Sequence, residues 1–233
     1  MRIRIKFSKH GVVKFIGHLD FMRYFQKAIR RSGIDVTYSS GFSPHQVMSF
    51  ASPLGVGHCS NGDYFDIEVN SHTGRLDMME RLNKAMVPGV VVENMVALGD
   101  NAGNAMASVA AAAYTLEWKE GYEVPSELEE TVVKFYNQAS IMVTKQTKKS
   151  VLELDLKPGI YEIKANENSI YMLVDASSSG NIKPALLLEA FYHFLGKEFD
   201  PMAIQIIREE TYTNIGKDGK MELVPLDAVG EDF

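Results

Sequence analysis

Hydrophobic and polar residues alternate at the start of the chain and then change period. In the opening run RIRIKF every second residue is hydrophobic, which is typical of a β-strand with one buried face. In HLDFMRYFQKAIRRSG, Leu19, Met22, Phe25 or Gln26, and Ile29 recur at helical spacing, and Gly33 is suited to a C-terminal cap. The pattern predicts a strand followed by an amphipathic helix with these residues on one stripe.

The predicted elements follow the order β-α-β-β-α-β twice along the chain. This order favours an α+β fold made of two tandem ferredoxin-like units with antiparallel sheets. We expect a basic N-terminal unit over residues 1–98 and a C-terminal unit over 113–212, with an extra hairpin strand near 151–156. The small, aperiodic residues 99–112 predict a linker, and 213–233 predict a hairpin and a tail.

The bulk composition is that of an ordinary globular protein. Of 233 residues, 45% are hydrophobic and 23% charged, and no apolar run approaches the ~20 residues that span a bilayer. The chain has a single cysteine, Cys59, so a disulfide framework and a multi-cysteine metal site are not expected. We therefore expect a cytoplasmic protein with no membrane contact, no cofactor and no metal.

Charge is distributed unevenly. Residues 1–50 hold nine Lys or Arg against two Asp, a net +7, whereas residues 51–233 hold 15 basic and 28 acidic residues, a net −13. A local basic face on an acidic body is typical of a polyanion site. Four bases lie on the first predicted helix and three extend them towards its N-terminal side; the candidate nucleic-acid-binding residues are Lys6, Lys9, Lys14, Arg23, Lys27, Arg30 and Arg31.

The segment GFSPHQVMSF, residues 41–50, prolongs the next predicted strand, IDVTYSS. Gly41 permits a positive φ and Pro44 removes a backbone donor, so we expect these residues, with Phe42, to bend the strand end and shape the site. The bend presents His45 beside the basic helix. His45 and His18 are the candidate catalytic residues, as a general base acting on a ribose hydroxyl without a metal.

The first 60 residues closely resemble the radical-SAM-linked protein family of uncharacterised bacterial proteins. The matching residues are Arg4, Phe7, Lys9, Gly11, Phe15, His18, Leu19, Asp20, Arg30, Arg31, Gly33, Tyr38, Ser39, Gly41, Phe42, Pro44, His45, Ser49, Phe50, Pro53, Leu54 and Gly55. This chain departs from the family pattern at two positions. It has Gln46 where the family usually has a second proline, and Gly17 where a serine is common. The resemblance implies a place in RNA modification or processing beside a radical-SAM partner.

These observations favour an RNA-binding accessory protein over an enzyme, although whether any reaction is catalysed stays open. One alternative is a metal-independent ribonuclease that uses His45 or His18. Another is a protein–protein adaptor whose basic region docks on an acidic partner. Each hypothesis predicts a different result. The RNA-binding protein shows salt-dependent RNA binding, the ribonuclease cleaves RNA, and the adaptor captures a partner without RNA.

Overall fold

The structure, a computed structural model, describes residues 1–146 and 151–233. Its strands are β1 (Arg2–Lys9), β2 (Met48–Phe50), β3 (Cys59–Glu68), β4 (Val90–Leu98), β5 (Ala111–Trp118), β6 (Met142–Gln146), β7 (Val151–Asp155), β8 (Ile160–Ala165), β9 (Ser169–Asp175), β10 (Ile204–Asn214) and β11 (Leu223–Pro225). Its helices are α1 (His18–Ser32), α2 (Arg75–Lys84), α3 (Ala105–Ser108), α4 (Leu128–Tyr136) and α5 (Pro184–Phe194). The pairings with a defined register are all antiparallel, so the fold is mixed α+β as predicted.

The chain forms two compact units that differ from the predicted segments. Residues 1–110 and 208–233 make the first unit, and residues 111–207 make the second. In the first unit β1 lies between β3 and β4, and β2 pairs with the other side of β3. The segment 99–112, predicted as a linker, contains α3 and the start of β5. The tandem ferredoxin-like arrangement stays a prediction.

An aromatic core joins α1 to the sheet of the first unit. The hydrophobic side of β1 is completely buried, and Phe7 contacts Phe25 with ring centroids 4.9 Å apart. Phe25 in turn lies 4.6 Å from Phe65 on β3. Helix α1 buries Phe21, Phe25 and Ile29, so its contact stripe is shifted from the predicted one and Leu19 is exposed. The opposite side of α1 faces solvent.

The polar face of β1 is covered rather than open. Arg4 is fully buried and donates to both carboxylate oxygens of Asp66, at 2.8 and 3.0 Å. It also donates to the carbonyls of Leu226 and Gly103, which belong to two segments that cross this face. Remote segments therefore supply the partners of Arg4, and its guanidinium is not exposed.

The last residues of the chain pack on the first unit. Strand β11 pairs with β10, and the turn between them has positive φ at Asp218 and Gly219. Glu231 forms a two-way backbone bridge with Ala97 at the end of β4. Phe233 packs against the core of this unit, so the segment expected to be a tail is bound to the sheet.

In the second unit β9 lies between β5 and β8, and β6 and β7 form a separate hairpin. The predicted extended runs SIMVTKQT and SVLELDL correspond to this hairpin, although Thr147 and Ser150 lie outside the described residues. Trp118 is buried and donates through Nε1 to the hydroxyl of Tyr192 at 3.0 Å. Helix α5 begins with Pro184 in its first turn, as predicted.

Candidate nucleic-acid interface

Helix α1 presents a basic surface on the side opposite its buried hydrophobic residues. Arg23, Lys27 and Arg30 follow one another at intervals of four and three residues, and all three are exposed. We call these three residues the α1 basic face. Gly33 ends the helix with φ 68° in the left-handed region, as the sequence predicts. The stripe is thus held on a well-formed helix of 15 residues.

The four predicted α1 bases have different partners. Arg23 is paired with Asp20, one turn earlier, at 3.0 Å, and both side chains are exposed. Arg31 donates to the carbonyl of Ala85 at 2.8 Å and so helps to hold the end of α2. Within residues 1–146 and 151–233, no carboxylate forms a salt bridge with Lys27 or Arg30. These two cations are the ones most available to an external anion.

The segment predicted as a bent strand is a loop, residues 39–45, with β2 beginning only at Met48. Its neck is closed by hydrogen bonds between Ser39 and His45: the Ser39 amide donates to the His45 carbonyl at 2.8 Å, and the His45 amide donates to Ser39 Oγ at 3.1 Å. Gly41 has φ 108°, a conformation that favours glycine. Pro44 has no amide to continue a ladder, so the chain leaves the sheet here.

Phe42 lies at the apex of this loop with its side chain wholly in solvent, at 112% of its reference exposure. The loop holds Gly41, Phe42 and Pro44, the residues predicted to shape the site, outside the sheet. An exposed phenylalanine forgoes the free energy of burying its ring, about 1.5–3 kcal/mol. This position is therefore a candidate for contact with another molecule.

Hydrogen bonds tie the loop neck to α1. Gln46 is buried and donates through Nε2 to the carbonyl of Gln26 at 3.1 Å. The hydrogen bond of Gln46 to the Tyr38 hydroxyl, with a smaller contribution from Arg30, lowers the pKa of Tyr38. The family that the sequence resembles usually has a proline at this position. Proline has no side-chain donor and could not make the contact that Gln46 makes. The loop and the α1 basic face belong to one surface.

The two candidate catalytic histidines are not brought together. His45 is exposed, with Nδ1 2.9 Å from Ser39 Oγ. His18 begins α1, and its ring meets the edge of Phe50 at 5.3 Å. Burial lowers the pKa of His18. Gln26 anchors the loop that carries His45, and it follows His18 by eight residues, or about 12 Å along the helix axis. A shared acid–base site at these two histidines has no support in their contacts.

The three lysines predicted to extend the basic surface occupy different environments. Lys9 is only 2% exposed, donates to the carbonyl of Ile16 at 3.1 Å and lies over the Phe21 ring, so it is not part of an exposed track. Lys6 is half-buried and paired with Glu210. Lys14 lies over the ring of Phe15 in a short 3-10 helix. Burial lowers the pKa of Lys9, as expected for an ammonium group removed from water.

A buried polar cluster, which the sequence does not reveal, surrounds Lys9. Arg208 donates to Asp63 Oδ1 at 2.7 Å, and both side chains are less than one-tenth exposed. Burial, with Arg208 and Lys9 adding to it, lowers the pKa of His58 to about 4. Arg208 is 145 residues from Asp63 along the chain, so no local spacing could have indicated the pair. Arg208 and Asp63 compensate each other's charge, as is usual for a buried structural ion pair.

The described part of the chain holds neither a metal-binding cluster nor a membrane-spanning helix. Among those residues no three His, Cys, Asp or Glu side chains are grouped so that they could hold a metal ion. None of the described helices is both long enough and apolar enough to cross a bilayer.

The fold and surface define an α+β protein with antiparallel sheets and a small basic face. Residues 2–184 match the model of a family described as an uncharacterized protein conserved in bacteria (DUF2344), and the chain belongs to this family. No curated protein matches the chain. Among solved structures it is similar to a chain in the crystal structure of a Cbf5-Nop10-Gar1 complex, with 8% identity and a TM-score of 0.44. That match covers 90% of this chain and 48% of the other, so the chain spans about half the length of its structural neighbour.

Proposed function

We propose that the protein is an RNA-binding accessory protein in RNA modification or processing, and that the α1 basic face holds backbone phosphates. The observation that carries the proposal is the exposure of Lys27 and Arg30, one turn apart, with no salt bridge to a carboxylate in the described residues. Like charges at this spacing repel one another, and an anion relieves the repulsion. Arg23 joins them when phosphate displaces Asp20, an exposed pair worth little in water.

The proposal includes a radical-SAM partner, because the first 60 residues resemble the radical-SAM-linked family. Co-purification of a radical-SAM protein with the tagged chain, before and after nuclease treatment, tests the partnership. Capture that survives nuclease supports direct contact, whereas capture lost with the RNA indicates a shared substrate only.

The test of RNA binding is a filter-binding titration with bulk cellular RNA over a range of salt concentrations. Each phosphate neutralised on a single strand contributes about −0.7 to the slope of log affinity against log salt. We expect Lys27→Glu/Arg30→Glu to abolish tight binding. The slope of log affinity against log salt should become less steep by about 1.4, because two phosphate contacts are lost. The matched control is Lys217→Glu/Lys220→Glu, which makes the same charge change at two exposed lysines elsewhere.

An unchanged slope in Lys27→Glu/Arg30→Glu would overturn the assignment of phosphates to α1. Equal losses in the control pair would mean that only net charge matters. The alternatives give other outcomes in the same preparation. Ends with cyclic phosphate that disappear in His45→Ala would indicate the ribonuclease, and no RNA binding at low salt would indicate the adaptor.

A further inference from the structure

We propose that the loop of residues 39–45 makes this surface selective for unpaired RNA, with the Phe42 ring stacking on an exposed base. The inference rests on the proposed function, since it assigns a second contact to the same surface. It commits the ligand to single-stranded or looped RNA, whereas cations alone would accept any polyanion. Phe42 is then a binding residue and not merely one that shapes the loop.

The ring is presented by a constrained loop. Two hydrogen bonds between Ser39 and His45 close the neck, one from the Ser39 amide to the His45 carbonyl and one from the His45 amide to Ser39 Oγ, and the bridge between Tyr38 and Gln46 adds to them. Pro44 restricts the backbone near the apex through its fixed φ, and Gly41 supplies the positive φ that the turn requires. A constrained loop loses little conformational entropy on binding, so the exposed ring is available to a ligand at low entropic cost.

The loop that carries the ring is also anchored to the helix that carries Lys27 and Arg30. Gln46 is bonded to Gln26 on α1, and Tyr38 interacts with Arg30. Phe42 is four residues from each of these anchors, so the chain limits its distance from them to about 14 Å. A base held on the ring and phosphates held on α1 therefore belong to one short stretch of RNA.

The charge of the surroundings favours RNA over an apolar protein partner. The loop sequence SSGFSPH contains no acidic residue, and the adjoining helix presents Lys27 and Arg30 without carboxylate partners in the described residues. Exposed aromatic rings beside cations are the common features of single-strand binding surfaces, because every base offers a face for stacking. Bases in a duplex are already stacked on their neighbours, so they offer no such face.

A tryptophan at the apex gives a direct readout. In Phe42→Trp, the new indole lies in solvent, whereas the native Trp118 is 6% exposed and belongs to residues 111–207. We expect a 12-nucleotide oligoadenosine to quench the new fluorescence over the same concentration range in which it binds. Neither a 12-base-pair RNA duplex nor tripolyphosphate should do so, because they bring phosphate without an unpaired base.

Affinity measurements complete the test. We expect Phe42→Ala to weaken binding of the oligoadenosine about tenfold, with an unchanged salt slope and unchanged duplex binding. The matched control is Tyr122→Ala, which removes an exposed aromatic ring from residues 111–207. Equal loss in the control, equal loss for duplex, or full affinity in Phe42→Ala would each overturn the stacking role.

The outcomes separate this inference from the function on which it rests. If Lys27→Glu/Arg30→Glu loses RNA while Phe42→Ala binds normally, phosphate binding stands and base stacking fails. If the unmodified protein does not bind RNA at low salt, both proposals fail together. Quenching by the duplex as strong as that by the single strand would show that the indole senses phosphate approach and not a base.

Discussion

Replacing Arg4 with methionine should destabilise the first unit more than any surface substitution on it. Arg4 is fully buried in β1 and donates to Asp66 at 2.8 and 3.0 Å. Methionine keeps the long apolar stem but removes the guanidinium. Asp66, which is 5% exposed, is then left as a buried carboxylate without its cation. The Leu226 and Gly103 carbonyls lose a donor as well.

The expected loss follows from the cost of isolating a buried charge. Removing one partner of a buried ion pair costs about 3–5 kcal/mol, most of it the desolvation of the partner that remains. Such a loss is a large part of the 5–15 kcal/mol that stabilises a typical domain. Replacing both partners, in Arg4→Met/Asp66→Leu, should recover much of the loss. Recovery stays incomplete because the two carbonyls still lack a donor, at about 1–3 kcal/mol each.

Urea unfolding measures both effects if the signals of the two units are separated. Trp118 lies among residues 111–207, so its fluorescence follows the second unit, while far-ultraviolet circular dichroism follows both. With a slope of about 2 kcal/mol/M, the loss in Arg4→Met moves the first unit's midpoint down by about 2 M. Arg23→Met, which removes an exposed and weakly paired arginine, is the control and should move it little.

A shift below about 0.5 M in Arg4→Met would refute the reasoning, since it would correspond to less than about 1 kcal/mol. The same conclusion would follow if the double variant were less stable than the single one. Either result would mean that water or another cation compensates Asp66.

Two further predictions concern pH and backbone conformation. The folded pKa of His58 lies near 4, below its unfolded value of 6.5, so its neutral form stabilises the fold above pH 6.5 and this contribution is lost as pH falls towards 4. The urea midpoint of the first unit should therefore fall less between pH 7 and pH 5 in His58→Gln than in the unmodified protein; an equal fall would contradict this. Gly89 has φ 94°, and an added Cβ would lie 2.5 Å from the His10 carbonyl, so Gly89→Ala should cost about 1–3 kcal/mol. Gly99→Ala, which meets no atom within 4 Å, is its control in the same unfolding assay, and equal stabilities would count against the steric argument.

The sequence predicts elements well where one local signal dominates. Alternation in β1 places Ile3, Ile5 and Phe7 on the buried face, and Gly33 ends α1 in the left-handed conformation. The rotation of α1 about its axis was predicted less well. Phe25 and Ile29 of the predicted stripe are buried, but Leu19 is 64% exposed, because Phe21 offers a larger apolar surface one turn before Phe25 and takes the sheet side. Two sets of α1 residues with the same helical period could each face the sheet, and only the packing of the core determines which set does so.

What the sequence could not predict depends on partners that are remote along the chain. The segments over the polar face of β1 come from residues near 103 and 226, and the partner of Asp63 is Arg208. The loop at residues 39–45 was expected to be a strand end, because the closing bonds between Ser39 and His45 have no periodic signature. Its exposed apex follows from tertiary structure and not from composition.

The placement of the basic residues changes how the charge of the N-terminal region should be understood. Arg4 and Lys9 are buried, and Lys6 and Arg23 are paired with acids. Four of the nine positive charges that give this region its net +7 therefore contribute little to an external field. A surface that relies mainly on Lys27 and Arg30 releases few counterions, so electrostatics alone supports only modest affinity with a shallow salt slope. Tight binding to this surface would require a contribution independent of salt, and the exposed ring of Phe42 is the group beside these cations that can provide it.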